Sequence, residues 1–479
     1  MESSVRRRME ALSRHLLQPR EENTGLHQVL LKGVELEKQV EPVIIGGMVL
    51  DIHATPSVPA NPRTTTPGKV HYREGGVARN VAECMSKLGA KPYMISAVGL
   101  DMAGNLLLEP WKSAGLSTEV GIRRQQDIST AVVANIFDAK GEVVAGVASV
   151  EAIEKFLTPE WIRLFKRNIS SAPVLMVDAN LSPPALEASC RSNLRYHFRF
   201  LISPSLPFLF TIAHWLIFYA ISNSFLLCSF APCSIYYLLP SFAFFISVAA
   251  ESNVPVWFET VSVTKSRRIA SVAKYISATF PNEDELVSMA NALSGQDIFH
   301  PINRDYKYSI ESLFQTLKPA IWVLLEKGIR AVVVTLGPDG VFLCSKGGLN
   351  SMKIGVEGTN QYGFSRKLYD IVNSGCPSSW YSDAMHLKGG SQFFAMHIPA
   401  LPASVVRLTG AGDCLVGGTL ASFCAGLDVI QSVAVGIAAA KAAVEAETNV
   451  PSEFSLTAIA DDARTVYAGA KVLYHQSML

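Results

Sequence analysis

The stretch Arg407-Leu408-Thr409-Gly410-Ala411-Gly412-Asp413 decides how this chain is interpreted. It is a Gly-rich turn that ends on one carboxylate and runs into the apolar, Ala/Gly-rich segment 414–420. Such a turn can point successive backbone N–H groups, at the positive end of a helix, toward an anion. The Asp413 carboxylate can take a proton from a hydroxyl that attacks phosphorus. The stretch predicts phosphoryl transfer to an alcohol, although alone it is also compatible with an ordinary helix start.

Length and composition allow a large α/β enzyme. The 479 residues carry 42 Lys and Arg against 41 Asp and Glu, a formal net charge of +1. Because the sequence shows no basic face or long basic tract, a nucleic-acid polymer is not expected as a partner. The 8 cysteines are scattered without a CxxC pair, which favours a reducing compartment and argues against a zinc site.

Strand and helix signals alternate from Pro42 onward, and the pattern predicts an α/β fold. The predicted strands are 43–51, 93–98, 174–177, 254–258 and 331–336, and the predicted helices are about 77–88, 412–425 and 428–446. This alternation predicts a mostly parallel central sheet with helices on both faces. The runs 131–137 and 142–147, joined by a Gly-containing turn, predict a β-hairpin that can form a small lid. Weak patterning over 351–397 predicts a long loop.

The first forty residues predict an extension before the folded domain. Residues 1–40 are polar and lack strand patterning. Within them, Arg8-Met9 and His15-Leu16 have a spacing that resembles an N-terminal peroxisomal targeting nonapeptide, although an ordinary amphipathic helix explains the same spacing. We expect a peroxisomal location, with the cytoplasm as the alternative.

One apolar segment does not fit the α/β pattern. Residues 201–249 contain no Asp, Glu, Lys or Arg, and the part 208–231 is long enough to cross a bilayer. A membrane anchor, a native hydrophobic insertion and a foreign insertion such as translated non-coding sequence are the alternatives. We favour a foreign insertion at 192–248, because joining Arg191 to Ala249 restores a continuous helix-to-strand unit. A membrane contact is expected only if the insertion is native.

Several separated motifs, in one order, resemble the ribokinase-like (PfkB) carbohydrate kinases over most of the chain outside the insertion. Segments 75–82 (GGVARNVA) and 98–104 (VGLDMAG) are similar to the family's first signature, and 410–413 to its second. The resemblance implies a three-layer ribokinase-like fold with a mostly parallel sheet, helices on both faces and a small β lid. We assign 41–465 to the kinase domain and 466–479 to a C-terminal tail.

The resemblance also implies which residues bind the acceptor alcohol. Asp51, at a predicted strand end, and Asn80, early in the next helix, can hydrogen-bond sugar hydroxyls. The pair Gly75-Gly76 lets a polyol approach the backbone closely. Thr130 enters the predicted lid hairpin and is expected to cover the substrate. Each assignment has a structural alternative. Asp51 can be a strand-end or helix-cap acid and Asn80 a surface helical residue. The glycine pair can form a plain turn, and Thr130 can be an edge-strand residue.

Two further motifs resemble the family's metal and nucleotide elements. An amide and a carboxylate three residues apart, Asn282 and Glu285, can hold the water shell of Mg²⁺ beside a triphosphate, although a helix cap after Pro281 explains the same spacing. A Thr-x-Gly-x-x-Gly turn between two strands is similar to the nucleotide-binding turn, or is a plain Pro-Asp-Gly turn. The residues assigned to the nucleotide are Thr335, Gly337, Gly340 and, for the adenine pocket, Asn449. Lys265 and Arg267 lie near phosphates or form a solvated basic turn.

Catalysis is assigned to the Gly-rich turn. Asp413 is the predicted general base, and the backbone N–H groups of Gly410, Ala411 and Gly412 are expected to stabilise charge on the transferring phosphoryl group. The resemblance implies ATP as co-substrate and Mg²⁺ as cofactor. It leaves open a requirement for a monovalent cation and a homodimer formed through the lid, as in related kinases. The chain departs from the family where Arg407 replaces an Asp and Leu408 replaces a Thr, which leaves the contacts just before the anion-binding turn open.

Within the family, the chain is most similar to pseudouridine kinases of the plant type. The similarity is carried by Ser129–Val132, Phe137–Ala148 and Leu408–Gly418. The implied reaction is phosphorylation of the 5′-hydroxyl of pseudouridine to pseudouridine 5′-phosphate. The alternatives are a ribokinase- or fructokinase-like sugar kinase and a non-catalytic, membrane-associated relative.

Overall fold

The structure is a computed structural model. It describes residues 41–59, 63–117, 121–138, 143–192, 195–196, 250–251, 254–303, 308–346, 366–381 and 393–476. The chain divides into two units, 1–39 and 40–479, and all the described residues belong to the second. The predictions for 1–40, and for the insertion apart from its two ends, lie outside the described residues.

Ten strands form the central sheet. Across the sheet they are β5 (Ile122–Gln125), β4 (Tyr93–Gly99), β1 (Val43–Ile45), β8 (Leu175–Asp178), β11 (Val256–Glu259), β12 (Ile276–Thr279), β13 (Ala331–Thr335), β14 (Val341–Lys346), β15 (Phe393–Ile398) and β16 (Lys471–Gln476). The strands from β5 to β13 run parallel, and β14, β15 and β16 pair antiparallel. The predicted mostly parallel sheet is confirmed.

Helices cover both faces of this sheet. In chain order they are α1 (Val77–Lys87), α2 (Met102–Ser113), α3 (Glu151–Phe156), α4 (Pro159–Leu164), α5 (Lys166–Ser171), α6 (Pro183–Ser192), α7 (Val263–Ser266), α8 (Glu283–Ser294), α9 (Ile310–Glu326), α10 (Arg366–Gly375), α11 (Ala411–Cys424), α12 (Val429–Val444) and α13 (Leu456–Ala468). Strand β13 shows why three layers form: Val333 packs into one apolar core with α11 and α12, and Val332 into the other with α8 and α9. The predicted three-layer fold is confirmed.

A second sheet forms the lid. Its strands are β3 (Gly68–Gly75), β2 (Val49–Pro56), β6 (Ala131–Phe137) and β7 (Val143–Ser149), in that order across the sheet. Strands β6 and β7 pair antiparallel, so the predicted hairpin is confirmed. Strand β3 was not predicted, because its exposed residues lack a buried face on which an apolar alternation could be selected.

The prediction of one strand over 43–51 is wrong. The chain leaves the central sheet at Gly46-Gly47 and continues as β2 in the lid. The backbone N–H of Gly47 donates to Asp178 Oδ2 at 2.9 Å, and a Cβ on Gly46 would lie 2.3 Å from Asp178 Cγ. Because the glycines allow this close approach, the strand is interrupted and Asp51 belongs to the lid.

The assignment of 466–479 to a tail is also corrected. Helix α13 extends to Ala468, and β16 then pairs antiparallel with β15 at the sheet edge, where strand pairing satisfies its backbone groups. The weakly patterned stretch 351–397 contains α10 and most of β15 in its described parts. At the ends of the insertion, the two-residue strands β9 (Arg195–Tyr196) and β10 (Ala250–Glu251) pair antiparallel. No helix in the described part of the chain is long and apolar enough to span a bilayer.

Candidate active site

The predicted site residues gather at one edge of the central sheet. Parallel strands end there together, so their following loops line one crevice. Asp178 ends β8, Glu259 ends β11, and Thr335 ends β13. Helix α11 brings its N-terminus, with the Gly-rich turn, to the same crevice as the lid strand β2.

The structure brings Asp413 and Asn80 into direct contact. Asn80 Nδ2 donates to Asp413 Oδ2 at 2.7 Å, across 333 positions of sequence. Gly410 is the N-cap of α11 with a φ of 89°, and a Cβ there would lie 2.1 Å from the carbonyl oxygen of Asn449. Glycine is therefore required at the start of α11, and Asp413 follows in the first turn, where helical N–H groups lack the partners that later turns supply. The Ala411 N–H donates to the carbonyl oxygen of Leu408 at 3.3 Å.

The Asp413 carboxyl is tuned toward neutral pH. Burial raises its pKa to about 7, and the negative charges of Asp178 and Asp51 act in the same direction. The hydrogen bond from Asn80 and the positive charge of Arg79 favour the ionised form and oppose this rise. A carboxylate with a pKa near the working pH can accept a proton and later release it, as a general base must.

Asp51 lies beside Asn449. Asn449 Nδ2 donates to Asp51 Oδ2 at 3.2 Å and to the carbonyl oxygen of Glu74 at 3.1 Å. Gly75 is needed at this point, because a Cβ on it would lie 2.2 Å from Asp51 Oδ2. Burial raises the pKa of Asp51 to about 6, although the hydrogen bond from Asn449 opposes this rise. The structure thus places Asn449, which we had assigned to the adenine pocket, beside Asp51, the predicted acceptor-binding residue.

Gly76 joins the lid to α1. It is the N-cap of α1 with a φ of 97°, and a Cβ on it would lie 2.4 Å from the carbonyl oxygen of Gly47. The two glycine pairs, 46–47 and 75–76, therefore lie against each other where the chain passes between the central sheet and the lid. Their close packing brings Asp51 and Asn80 to the same crevice.

Arg407, the departure from the family pattern, also lies at the acceptor end. Its Nη1 is 3.4 Å from Asn449 Oδ1, and its positive charge lowers the pKa of Asp51. The guanidinium is half-buried. Its contacts therefore join it to Asp51 through Asn449.

Thr130 holds the base of the lid. Its hydroxyl donates to Asp101 Oδ1 at 2.6 Å and accepts from the backbone N–H of Gly99 at 2.8 Å. The Thr130 backbone N–H donates to Asp101 Oδ2 at 2.8 Å. The side chain is buried, so these contacts tie β6 to the end of β4. They give Thr130 a structural position, and its contact with substrate stays a prediction.

Asn282 and Glu285 form a capping box at the start of α8. The Glu285 N–H donates to Asn282 Oδ1 at 2.8 Å, and the Asn282 N–H donates to Glu285 Oε2 at 2.9 Å. Both side chains therefore serve the cap that we had weighed against the metal role. Glu285 is buried, and burial raises its pKa.

Glu259 is a site residue that sequence reasoning missed. Its Oε2 is buried and has no hydrogen-bond partner in the described ranges. Burial, followed by the negative charges of Glu285 and Asp413, raises its pKa well above the ordinary value. Its signal in the sequence was its position directly after the predicted strand 254–258, at the edge where the other site residues lie.

These carboxylates suit a hard cation. A Mg²⁺ ion bound nearby would relieve the mutual repulsion of Glu259 and Glu285 and would satisfy the unpartnered Glu259 oxygen. No cluster of three His, Cys, Asp or Glu ligands exists among the described residues. Mg²⁺ normally keeps waters and phosphate oxygens as most of its ligands, so two carboxylates are sufficient on the protein side.

The predicted nucleotide turn lies next to this acidic pair. Thr335 ends β13 and forms a parallel bridge with Asn282. Gly337 begins a short 3₁₀ turn with a φ of 59°. Gly340 has a φ of 92°, and a Cβ on it would lie 2.2 Å from the carbonyl oxygen of Ile398. The turn is thus a strand–turn–strand unit whose exposed tip adjoins the capping box of α8.

Lys265 in α7 and Arg267 in the turn after it have different surroundings. Lys265 Nζ donates to Asn180 Oδ1 at 2.6 Å. Burial lowers the pKa of Lys265, and the negative charge of Asp178 opposes this change. Arg267 is exposed and pairs with Asp297 at 3.4 Å. Of the two, Lys265 therefore lies at the strand ends, and Arg267 faces solvent.

The fold and the crevice residues are those expected of a kinase, an α/β phosphotransferase whose predicted base, Asp413, lies at the start of a helix. The model of the pfkB family of carbohydrate kinases matches residues 42–191 and 371–452. A pseudouridine kinase of Arabidopsis thaliana is 49% identical over 442 residues, which cover 92% of this chain and 100% of that protein. This chain belongs to the pfkB family of carbohydrate kinases.

More distant relatives agree with the fold. A pseudouridine kinase of Escherichia coli is 22% identical over 85% of this chain and 92% of its own length. The structure of Arabidopsis thaliana ribokinase complexed with ribose and ATP covers 88% of this chain and 98% of that one, with a TM-score of 0.56 and 14% identity. At that identity the structural match shows the ribokinase-like fold alone.

Proposed function

We propose that this protein transfers the γ-phosphoryl group of ATP to the 5′-hydroxyl of pseudouridine, forming pseudouridine 5′-phosphate. The observation that carries the proposal is the 2.7 Å contact between Asn80 and Asp413 at the start of α11. Identity of 49% over the whole length of the Arabidopsis pseudouridine kinase supports the acceptor.

The reaction is one in-line displacement. Asp413 removes the proton of the 5′-hydroxyl, whose oxygen forms a bond to the γ-phosphorus while the bond to the β-phosphate oxygen of ATP breaks. Asp51 and Asn80 hold the ribose hydroxyls, and ADP leaves. The N–H groups of Gly410, Ala411 and Gly412 stabilise charge on the transferring group. The raised pKa of Asp413, about 7, suits this proton transfer at neutral pH.

ATP and Mg²⁺ complete the site in this proposal. The turn 335–340 adjoins the start of α8 through the bridge of Thr335 with Asn282, and the charge of Asp413 at the start of α11 acts on Glu259. We expect the triphosphate to bind between this turn and the N-terminus of α11. Glu285 and Glu259 would hold the Mg²⁺ ion or its waters, and Mg²⁺ supplies neutralisation of phosphate charge. The unsatisfied Glu259 oxygen supports this assignment.

The inner face of the lid supports a nucleoside as acceptor. Strand pairing puts Arg73 opposite Asp51, and both His71 and Asn135 opposite His53. Side chains at alternate positions share a face, so these polar groups extend from Asp51 along the lid. Burial lowers the pKa of His53 to about 4, and a neutral imidazole can both donate to and accept from a base edge.

An acceptor panel tests the proposal. Purified protein with ATP and Mg²⁺ is assayed with pseudouridine, uridine, adenosine, ribose and fructose. We expect kcat/KM for pseudouridine to exceed that of every other acceptor by at least about tenfold. Uridine is the matched control, because it carries the same ribose. Preference for ribose or fructose would identify a sugar kinase, and no transfer from folded protein would identify a non-catalytic relative.

The outer face of the lid supports a homodimer. Val70, Tyr72 and Val147 lie on the face opposite Asp51 and are 57%, 52% and 75% exposed. Because an apolar sheet face of this kind is costly in water, we propose that a second copy covers it. Tyr72→Glu should shift the mass in analytical ultracentrifugation to a monomer, whereas Thr55→Glu on the inner face should not. A monomeric wild type would contradict the dimer.

Location and cation dependence are proposed on the sequence resemblance. A peroxisomal location rests on the spacing of Arg8-Met9 and His15-Leu16. A fluorescent fusion should co-localise with peroxisomes and become cytoplasmic in an Arg8→Ala variant. The monovalent-cation requirement is tested by comparing kcat measured in potassium with kcat measured in a bulky organic cation.

A further inference from the structure

Arg79 carries a buried positive charge near the carboxylates of Asp413 and Asp51. The mechanism above does not use this residue. It precedes Asn80 in α1, and its side chain is only 3% exposed. Burying a guanidinium is costly unless it is paired and hydrogen-bonded. The groups that Arg79 contacts therefore indicate what holds it there.

Two of its contacts anchor the side chain. Arg79 Nη2 lies 2.8 Å from Glu83 Oε2, one helical turn along α1. Its Nη1 donates to the carbonyl oxygen of Glu74 at 3.3 Å, in the lid strand β3. The guanidinium is thus held between α1 and the lid at a defined position.

A third contact acts on Asn80. Arg79 Nη1 also donates to Asn80 Oδ1 at 3.1 Å, while Asn80 Nδ2 donates to Asp413 Oδ2. An amide has one accepting end and one donating end. With its oxygen on the guanidinium, Asn80 must present its N–H groups to Asp413. The reversed amide would place the Asn80 oxygen against the Asp413 carboxylate and the Asn80 N–H groups against the Arg79 guanidinium.

The charge of Arg79 also reaches both carboxylates of the site. It lowers the pKa of Asp413 and that of Asp51, each of which burial raises. The other charged groups that act on Asp413 are Asp51 from β2, Asp178 from β8 and, through mutual repulsion, Glu259 from β11. All three are acidic, so among the described residues that act on Asp413, Arg79 supplies the opposing positive charge.

We propose that Arg79 is a positioning residue of the phosphoryl transfer. It sets the Asn80 amide so that its N–H groups meet Asp413, and it supplies positive charge to Asp413 and Asp51. The inference rests on the proposed role of Asp413 as the general base.

Two substitutions separate the orienting role from the charge. Arg79→Gln removes both, so we expect kcat for pseudouridine at neutral pH to fall by at least about tenfold. The acidic limb of the pH profile should move to higher pH by at least about half a pH unit, because the charge that favours the carboxylate is lost. Arg79→Lys keeps the charge but loses the planar fork, so kcat falls while the acidic limb stays near that of the wild type. KM for ATP should change by less than about twofold in both.

Arg123→Gln is the matched control. Its half-buried guanidinium donates to the carbonyl oxygen of Phe156 at 3.0 Å, away from the site, and this variant should keep the wild-type pH profile. A folded Arg79→Gln protein with wild-type kcat and acidic limb would overturn the inference. If that variant fails to fold, Arg79→Lys decides: a lower kcat supports the inference, and an unchanged kcat overturns it. An inactive wild type would contradict the proposed function and the inference with it, whereas an active wild type with unaffected Arg79 variants would contradict the inference alone.

Discussion

Asp413 has a pKa of about 7 because burial and neighbouring acids disfavour its charged form, while Asn80 and Arg79 favour it. The balance is set by residues from three separate parts of the chain. The sequence motif identified the acid and its helix start, since both are local features. It did not identify Arg79, because its place in the GGVARNVA block does not show that its guanidinium is buried beside Asn80.

Asp413→Asn should remove most of the turnover. The amide keeps the shape of the side chain but cannot accept the proton, so we expect kcat to fall by about 10²–10⁴-fold with ATP and pseudouridine binding nearly intact. Steady-state kinetics and calorimetric titration measure the two effects. Asp462→Asn, which breaks a 2.9 Å ion pair with Lys441 outside the site, is the control. Retention of most of the activity would remove Asp413 from the role of base.

The same carboxyl should make stability depend on pH. Its folded-state pKa of about 7 lies above the ordinary value of 3.8, so the folded state binds the proton more tightly. Stability from this group is therefore present at low pH and lost as pH rises through the folded pKa. Asp413→Asn should raise the unfolding free energy at pH 8 by about 1–2 kcal/mol, less than the full shift because solvent screens the half-buried group. Urea unfolding at pH 5 and pH 8 measures this, and an unchanged difference between wild type and variant would contradict it.

Among the elements, the lid strand β2 departs most from the sequence prediction. The run 43–51 reads as one buried strand, yet Gly46-Gly47 divides it and carries Asp51 into another sheet. A close backbone approach to Asp178 causes the division, and no apolar pattern records such an approach. The start of α8 was ambiguous in a different way, because one spacing serves both a capping box and a metal ligand pair.

Gly75→Ala tests how the lid presents Asp51. The added Cβ would lie 2.2 Å from Asp51 Oδ2, so the carboxylate must move. We expect kcat/KM for pseudouridine to fall at least about tenfold, with KM for ATP nearly unchanged. Gly375→Ala at the end of α10, where a Cβ would lie 3.6 Å from Arg464 Cδ, should leave both constants unchanged. Wild-type acceptor kinetics in Gly75→Ala would show that Asp51 does not bind the acceptor.

Over the whole molecule, the described kinase fold is continuous on either side of the insertion. Tyr196 and Ala250 pair directly in the β9–β10 ribbon, so the segment 197–249 starts and ends at neighbouring residues. The central sheet, including β8 and β11 on either side of this ribbon in sequence, is continuous. The structure thus supports the proposal that the kinase fold does not need the insertion.

Replacing residues 197–249 with Asn-Gly tests this proposal. Two paired residues can be joined by a two-residue turn, and Asn-Gly suits the type I′ turn that such a hairpin needs. We expect a folded enzyme with kcat within about twofold of the full chain and a single cooperative unfolding transition. Circular dichroism and the acceptor assay measure both properties. Loss of folding or activity in the shortened chain would assign the insertion a structural role.

The kinase class, the three-layer fold and the helix starts that carry Asp413 and Asn80 were predictable from short stretches of chain, because glycine turns, strand runs and helix starts are local in sequence. Contacts between distant segments set the rest. Asn449 meets Asp51 across 398 positions, and Asn80 meets Asp413 across 333. Spacing within a motif carries no information about such partners. The pKa of the base and the placement of Asn449 and Glu259 therefore arise only when the lid, the sheet edge and α11 pack together.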